Sequence, residues 1–126
     1  MTSNDNPVPT LDRVLVLAGG LCGVFGVALS AAAAHRGGTF TATAASFLLM
    51  HAPLFVAVGL LGGNRLLRGG SFALLSGLVV FSGDLLARDF LGFRLFPFAA
   101  PTGGTLLMAG WLCIAASALA RPRRNS

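Results

Sequence analysis

Asp84 and Arg88 stand four residues apart in "LVVFSGDLLARDF", residues 78–90, an acid and a base within a mainly apolar run that also holds Asp89 near its end. On a helix that spacing puts both on one face, where a carboxylate and a guanidinium can pair. His51 is the other titratable side chain deep in an apolar run, and Ser46, Ser82 and Thr102 are polar residues at comparable expected depth. A group of this kind supports one of two chemistries. It moves protons or holds a polar solute, or it hydrogen-bonds helices together at about 0.6 kcal/mol per contact. One acid and one histidine do not make a proton relay, so the residue types favour the second.

Other chemistries find less support. His35 and His51 are the only histidines, and their expected depths differ by roughly 6 to 9 Å of helix rise, a poor fit for a shared haem iron. The sequence shows no metal cluster, nucleophile triad, nucleotide loop or repeated unit. Neither a metal nor another cofactor is expected, and there is no positive case for an enzyme.

The elements that must position these side chains follow from composition. Of 126 residues, 55% are hydrophobic and 10% charged, against roughly 25% charged in soluble domains. With a mean hydropathy of +0.80, a soluble fold is disfavoured. The formal charge of +5 comes from nine arginines and four aspartates. These arginines lie singly or in small groups between apolar runs, which points to lipid headgroups rather than nucleic acid as their partner. Cys22 and Cys113 lie within apolar runs and read as small hydrophobes, not a disulfide framework.

About 20 apolar residues cross the ~30 Å of a bilayer's hydrocarbon as a helix. Four runs qualify, at residues 14–34, 41–61, 71–91 and 99–120. They predict an all-α integral membrane protein, a four-helix up-down-up-down bundle in one domain, residues 11–120. A polar tail, residues 1–10, is expected to be flexible, and a basic tail, residues 121–126, follows the last helix. Thr10 is the expected cap of a first helix starting at Leu11. The connections are expected in "HRGG", "GGNRLLRGG" and "PFAAPTGG". "SAAAAH" resembles the end of a cleavable leader, but Asp5 and Asp12 replace a basic start and the apolar run is long. The first run is therefore expected to remain as a span.

Arg13, Arg65, Arg68, Arg121, Arg123 and Arg124 fall on one side of these spans and Arg36, Arg88 and Arg94 on the other. The imbalance predicts both termini in the cytoplasm. Phe90, Phe93, Phe96 and Phe98 then gather at the outer boundary. Asp84 costs about 2.5 to 3.5 kcal/mol at a span's centre, while each Leu, Phe or Val returns about 0.3 to 0.6. Eleven such residues accompany it between Ser71 and Leu91, so the helix still inserts, with Asp84 turned toward protein or water. His51 and Asp84 fall about 15 Å and 10 Å from the outer ends of their spans. They are expected to meet in a small polar cavity, open outward, with Arg88, Ser82, Ser46 and Thr102. Pro53 is expected to kink the second helix.

Helices in lipid associate through small residues that let backbones approach. Gly19, Gly23 and Gly26 in the first span and Gly103 and Gly104 in the last supply them, and suggest that these two helices are neighbours. Intramolecular packing is the expected use of the Gly19–Gly23 pair, ahead of a homodimer seam.

In order and spacing, "ALSAAAAH", "SFLLMHAPLF", "FSGDLL" and "PTGGTLLMAGW" resemble the small membrane proteins of the domain of unknown function 423 family, to which eukaryotic transmembrane protein 256 is related. The resemblance runs from about Leu17 to Leu119. It implies a four-helix membrane protein with no established biochemical activity. This chain departs from the family pattern at Asp84, where a serine is usual, and at Leu86, where a tyrosine is usual. The expected role is that of a non-enzymatic, multi-pass protein of the bacterial inner membrane, an accessory or structural subunit of a membrane complex or a homo-oligomer. The alternative is a small conduit for protons or a polar solute.

Overall fold

The computed structural model describes residues 11–120 and folds them into α1 (Arg13–Arg36), α2 (Thr39–Leu61), α3 (Arg65–Phe90) and α4 (Ala99–Ser117). The two tails and Thr10 lie outside the described residues. All four helices are long and apolar enough to cross a membrane. Local chemistry sets their ends. Asp12, in extended conformation, accepts a bond from Leu15 N at 3.4 Å, so α1 starts two residues later than a cap at Thr10 would place it. Asn64 caps α3 in the same way, accepting from Leu67 N at 2.8 Å. Gly37 and Gly62 stop α1 and α2 in positive-φ conformations that side chains resist. Helix α2 runs unbroken through Pro53, which faces outward.

Consecutive helices run antiparallel. Gly26 packs on Leu49 and Gly19 on Val56 between α1 and α2; Thr41 bonds to Asp89 and the Phe47 ring lies tilted against Phe81 between α2 and α3. Between α3 and α4, Gly77 meets Gly103 and Gly70 meets Gly110. The result is the expected up-down-up-down bundle. Leu15, Cys22, Phe55, Leu74, Leu78 and Leu107 form its core.

Two expectations about packing are corrected. Helices α1 and α4 are not neighbours: among the described residues they do not touch, and α2 and α3 lie between them. Gly19 and Gly26 of α1 face α2, and Gly103 and Gly110 of α4 face α3, because short connections set each helix against its chain neighbour. Gly23 and Gly104 contribute to neither seam, and a methyl group added at either would meet open space. The second correction concerns "GGNRLLRGG", whose latter half is helical, so α3 starts six residues before Ser71. Its Gly70 is a packing surface: a Cβ there would lie 2.9 Å from the Gly110 carbonyl oxygen.

The helix ends are not level. Asn64 Nδ2 donates to Ser117 O at 3.0 Å, so α4 ends flush with the beginning of α3. At the other end, the Gly77–Gly103 register puts Ala99 beside Gly83, and α4 begins about 10 Å below the last residue of α3. Residues 91–98 must descend along the bundle to reach it.

Candidate functional site

That descending segment completes the environment of Asp84. The carboxylate is fully buried. Its Oδ1 accepts the backbone N–H of Leu95 at 2.8 Å, and Arg88 Nη2 lies 2.8 Å from Oδ2, a charge contact rather than an aligned hydrogen bond. The i, i+4 spacing thus forms the pair read from the sequence. Arg88 remains one-fifth exposed and stacks over the Phe40 ring at 5.3 Å, so its charge reaches from the buried acid toward the helix ends.

Asp89, one residue on, points at α2 instead. Its Oδ2 accepts from Thr41 N at 2.6 Å and from Thr41 Oγ1 at 2.7 Å. The N-cap of α2 is Gly38, which has no side chain to offer, and a carboxylate from the neighbouring helix satisfies the first-turn amide. The absence of any capping side chain before Thr39 was the available signal for this contact.

His51 is buried between α2 and α4. Its Nδ1 lies 2.7 Å from the Phe47 carbonyl oxygen, and Trp111 Nε1 donates to Nε2 at 3.2 Å. A backbone acceptor on one side and an indole donor on the other fix the tautomer with the proton on Nδ1. Trp111 reaches His51 from a helix that does not otherwise approach α2, so its ring fills the gap between them. Sequence reasoning missed this partner, because nothing in the spacing of residues 51 and 111 announces it.

The expected cavity is not realised. Asp84 and His51 do not meet: the α2–α3 register leaves about 8 Å of helix rise between their levels, and each is satisfied separately. Ser46 faces outward and donates to the Ala42 carbonyl at 3.1 Å. Thr102 lies on an exposed groove of α4 with Pro101 and Thr105. Ser82 is buried on the α2 side of α3, and its hydroxyl has no hydrogen-bond partner among the described residues. A carboxylate on an open cavity would be exposed; residues 91–98 instead close over Asp84. A cavity of about 650 Å³ lies at the opposite end, where Leu11, Val14 and Leu61 line it beside Asp12 and Arg68.

At that end Arg68 Nε donates to Asp12 Oδ2 at 2.8 Å, joining the starts of α1 and α3. The hydrogen bond from Arg68 holds the Asp12 carboxyl below its ordinary pKa. Asp12 N also donates to Gly59 O at 2.9 Å, so this residue ties α1 to both α2 and α3.

Buried acid, glycine seams and four spans can be set against known proteins. The profile of a family described as "Protein of unknown function (DUF423)" matches residues 22–104. The chain belongs to this family. The matched segment includes the Asp84–Arg88 pair, Asp89, His51 and Gly103, and leaves out Trp111. A protein of Haemophilus influenzae described as "UPF0382 membrane protein" is 33% identical over 105 residues, covering 75% of this chain and 85% of that relative. No solved structure matches. The relative's description and the four apolar helices agree on a membrane protein.

Proposed function

We propose that this protein is a non-enzymatic, multi-pass component of the bacterial inner membrane that acts through helix contacts, as an accessory or structural subunit of a larger membrane complex. The observation that carries the reading is the open glycine faces of its outer helices. A side chain at Gly20 or Gly23 on α1 or at Gly104 on α4 would meet nothing among the described residues, whereas Gly19, Gly26, Gly103 and Gly110 are occupied by internal seams. Surfaces of this kind let a partner's helix approach closely in lipid. The polar side chains, in contrast, hold this chain to itself: Asp84 to Leu95, Asp89 to Thr41, and His51 to Trp111. A conduit through Asp84 has less support, since its carboxylate is sealed. The arginine distribution supports both termini facing the cytoplasm.

Purification from native membranes in a mild detergent tests the reading. A co-purifying protein, or a species larger than the monomer that Gly23→Leu or Gly104→Leu disperses, is the expected result. A lone monomer with no companion overturns it.

A further inference from the structure

Arg68 and Arg88 frame α3. They stand twenty residues apart, about 30 Å along a helix, which is the thickness of the hydrocarbon a span must cross. With both guanidiniums at the two boundaries, Asp84 lies about 6 Å inside the boundary marked by Arg88. Leu95 shares that depth, because its N–H bonds to Asp84 Oδ1 and its side chain lies against Gly83, Cδ2 being 3.7 Å from where a Cβ would stand. The connection between α3 and α4 is therefore at its deepest below the level at which α3 ends.

The segment is built for that position. Among residues 91–98 the only charged side chain is Arg94, and Leu91, Phe93, Phe96 and Phe98 turn outward from the bundle, with Leu95 half exposed among them. Non-helical backbone is tolerated at such depth only where its polar groups find partners in the protein. At the deepest point of the segment the Leu95 N–H finds Asp84; at its end the Ala99 N–H finds Phe96 O at 3.1 Å, and the Thr102 N–H makes the first helical bond of α4, to Phe98 O at 2.9 Å. An aqueous loop would need no buried carboxylate for the Leu95 N–H and would leave five large apolar side chains exposed to water.

We infer that residues 91–98 form a re-entrant lip that inserts its apolar side chains into the adjoining bilayer leaflet, with Asp84 as the buried anchor of its backbone. Its partner is lipid: acyl chains against Phe93, Phe96 and Phe98, and a phosphate within reach of Arg94. Since α4 starts at the depth of Asp84, the lip replaces the missing first turns of that span.

Trp111 is the only tryptophan, so Phe96→Trp in a Trp111→Phe background gives one reporter on the lip. In phosphatidylcholine vesicles, lipid brominated near the headgroup end of its chains is expected to remove most of the emission, while iodide in the buffer removes little. Strong iodide quenching without bromine quenching puts the segment in water and overturns the inference. Quenching by neither means that protein covers it, which also overturns it. A second variant guards against a folding defect from the loss of Trp111. Phe93→Cys, with a membrane-impermeant maleimide on both vesicle faces and wild type as the blank for Cys22 and Cys113, is expected to stay unlabelled until detergent unfolds the chain. Labelling in intact vesicles overturns the inference.

Discussion

Gly77 and Gly103 each occupy the space in which the other's side chain would have to sit: a Cβ on Gly77 would lie 2.8 Å from the Gly103 carbonyl oxygen, and one on Gly103 would lie 2.9 Å from that of Gly77. Seven residues along each helix, Gly70 and Gly110 repeat the relationship at 2.9 Å in both directions. A seven-residue repeat keeps one face of a helix turned toward its neighbour. The α3–α4 hairpin is thus closed by two reciprocal glycine pairs.

The first expectation contrasts adjacent glycines. In Gly103→Ala the methyl group would press on Phe81 N at 2.7 Å, and backbone cannot rotate away as a side chain can. A loss of about 1–3 kcal/mol follows, the usual range for overpacking. Gly104→Ala adds a methyl group in open space and should be neutral or stabilising by up to about 1 kcal/mol, the helix propensity difference. Reversible unfolding in mixed micelles with increasing SDS measures both; equal effects would contradict the seam.

A second expectation separates the two roles of Asp84. Asp84→Asn keeps an oxygen for the Leu95 N–H but gives up the charge that faces Arg88, whereas Asp84→Ala removes both. An orphaned buried donor costs about 1–3 kcal/mol. Arg88, already one-fifth exposed, can turn toward the boundary, so the total should stay below the ~3–5 kcal/mol of a fully trapped charge. Alanine should therefore destabilise more than asparagine in the same SDS titration, and amide exchange at Leu95 should accelerate more in the alanine variant.

The four spans, their antiparallel order and the Asp84–Arg88 pair were legible because each rests on near neighbours in sequence: apolar run length, loop length and a four-residue spacing. The partners of those residues were not. Leu95 contributes a backbone N–H, which every residue type except proline carries, so its identity signals nothing. Trp111 meets His51 only because α3 brings α4 to a particular rotation, which depends on where Gly70 and Gly77 fall. Small residues mark a helix surface but not which helix it meets, so the expected α1–α4 contact has no basis in spacing, and glycine in a turn and glycine at a helix crossing, as at Gly70, look alike in one sequence. The expected depth of Thr102 erred for a related reason: α4 starts about 10 Å short of the end of α3, and counting from span ends assumes that the ends are flush.

Phe98 yields a third expectation. It is the one described residue other than glycine with positive φ, at 66°, and it turns the chain into α4. A left-handed conformation costs a residue with a Cβ about 1 kcal/mol or more, and glycine avoids that cost. The ring is 73% exposed, so its removal forfeits little packing within the protein. Phe98→Gly should stabilise the protein in detergent by about 0.5–1 kcal/mol after allowing for the freer unfolded chain. Phe96→Gly offers no such relief and should not stabilise. A loss of stability in Phe98→Gly would mean that the ring's contacts outweigh the strain.

The fourth expectation concerns pH and the opposite end of the bundle. Hydrogen bonding from Arg68 holds the Asp12 carboxyl below its ordinary value of 3.8, and the bond it accepts from Leu15 N acts in the same direction. A depressed folded-state pKa means that the unfolded chain takes up a proton more readily. The stabilisation is then complete above the ordinary carboxylate range and is lost as pH falls through the lowered value. Acidification from neutral should weaken the wild type as the Asp12–Arg68 contact and the α1 cap are protonated away. Asp12→Asn keeps a capping oxygen for Leu15 N but has no proton to gain, so it should start less stable at neutral pH and show a flatter acid limb. Arg68→Leu should flatten that limb as well while leaving the cap in place. Thermal unfolding followed by circular dichroism from neutral pH to about pH 3 compares the three. Parallel curves for wild type and Asp12→Asn would show that some other carboxylate governs the acid response.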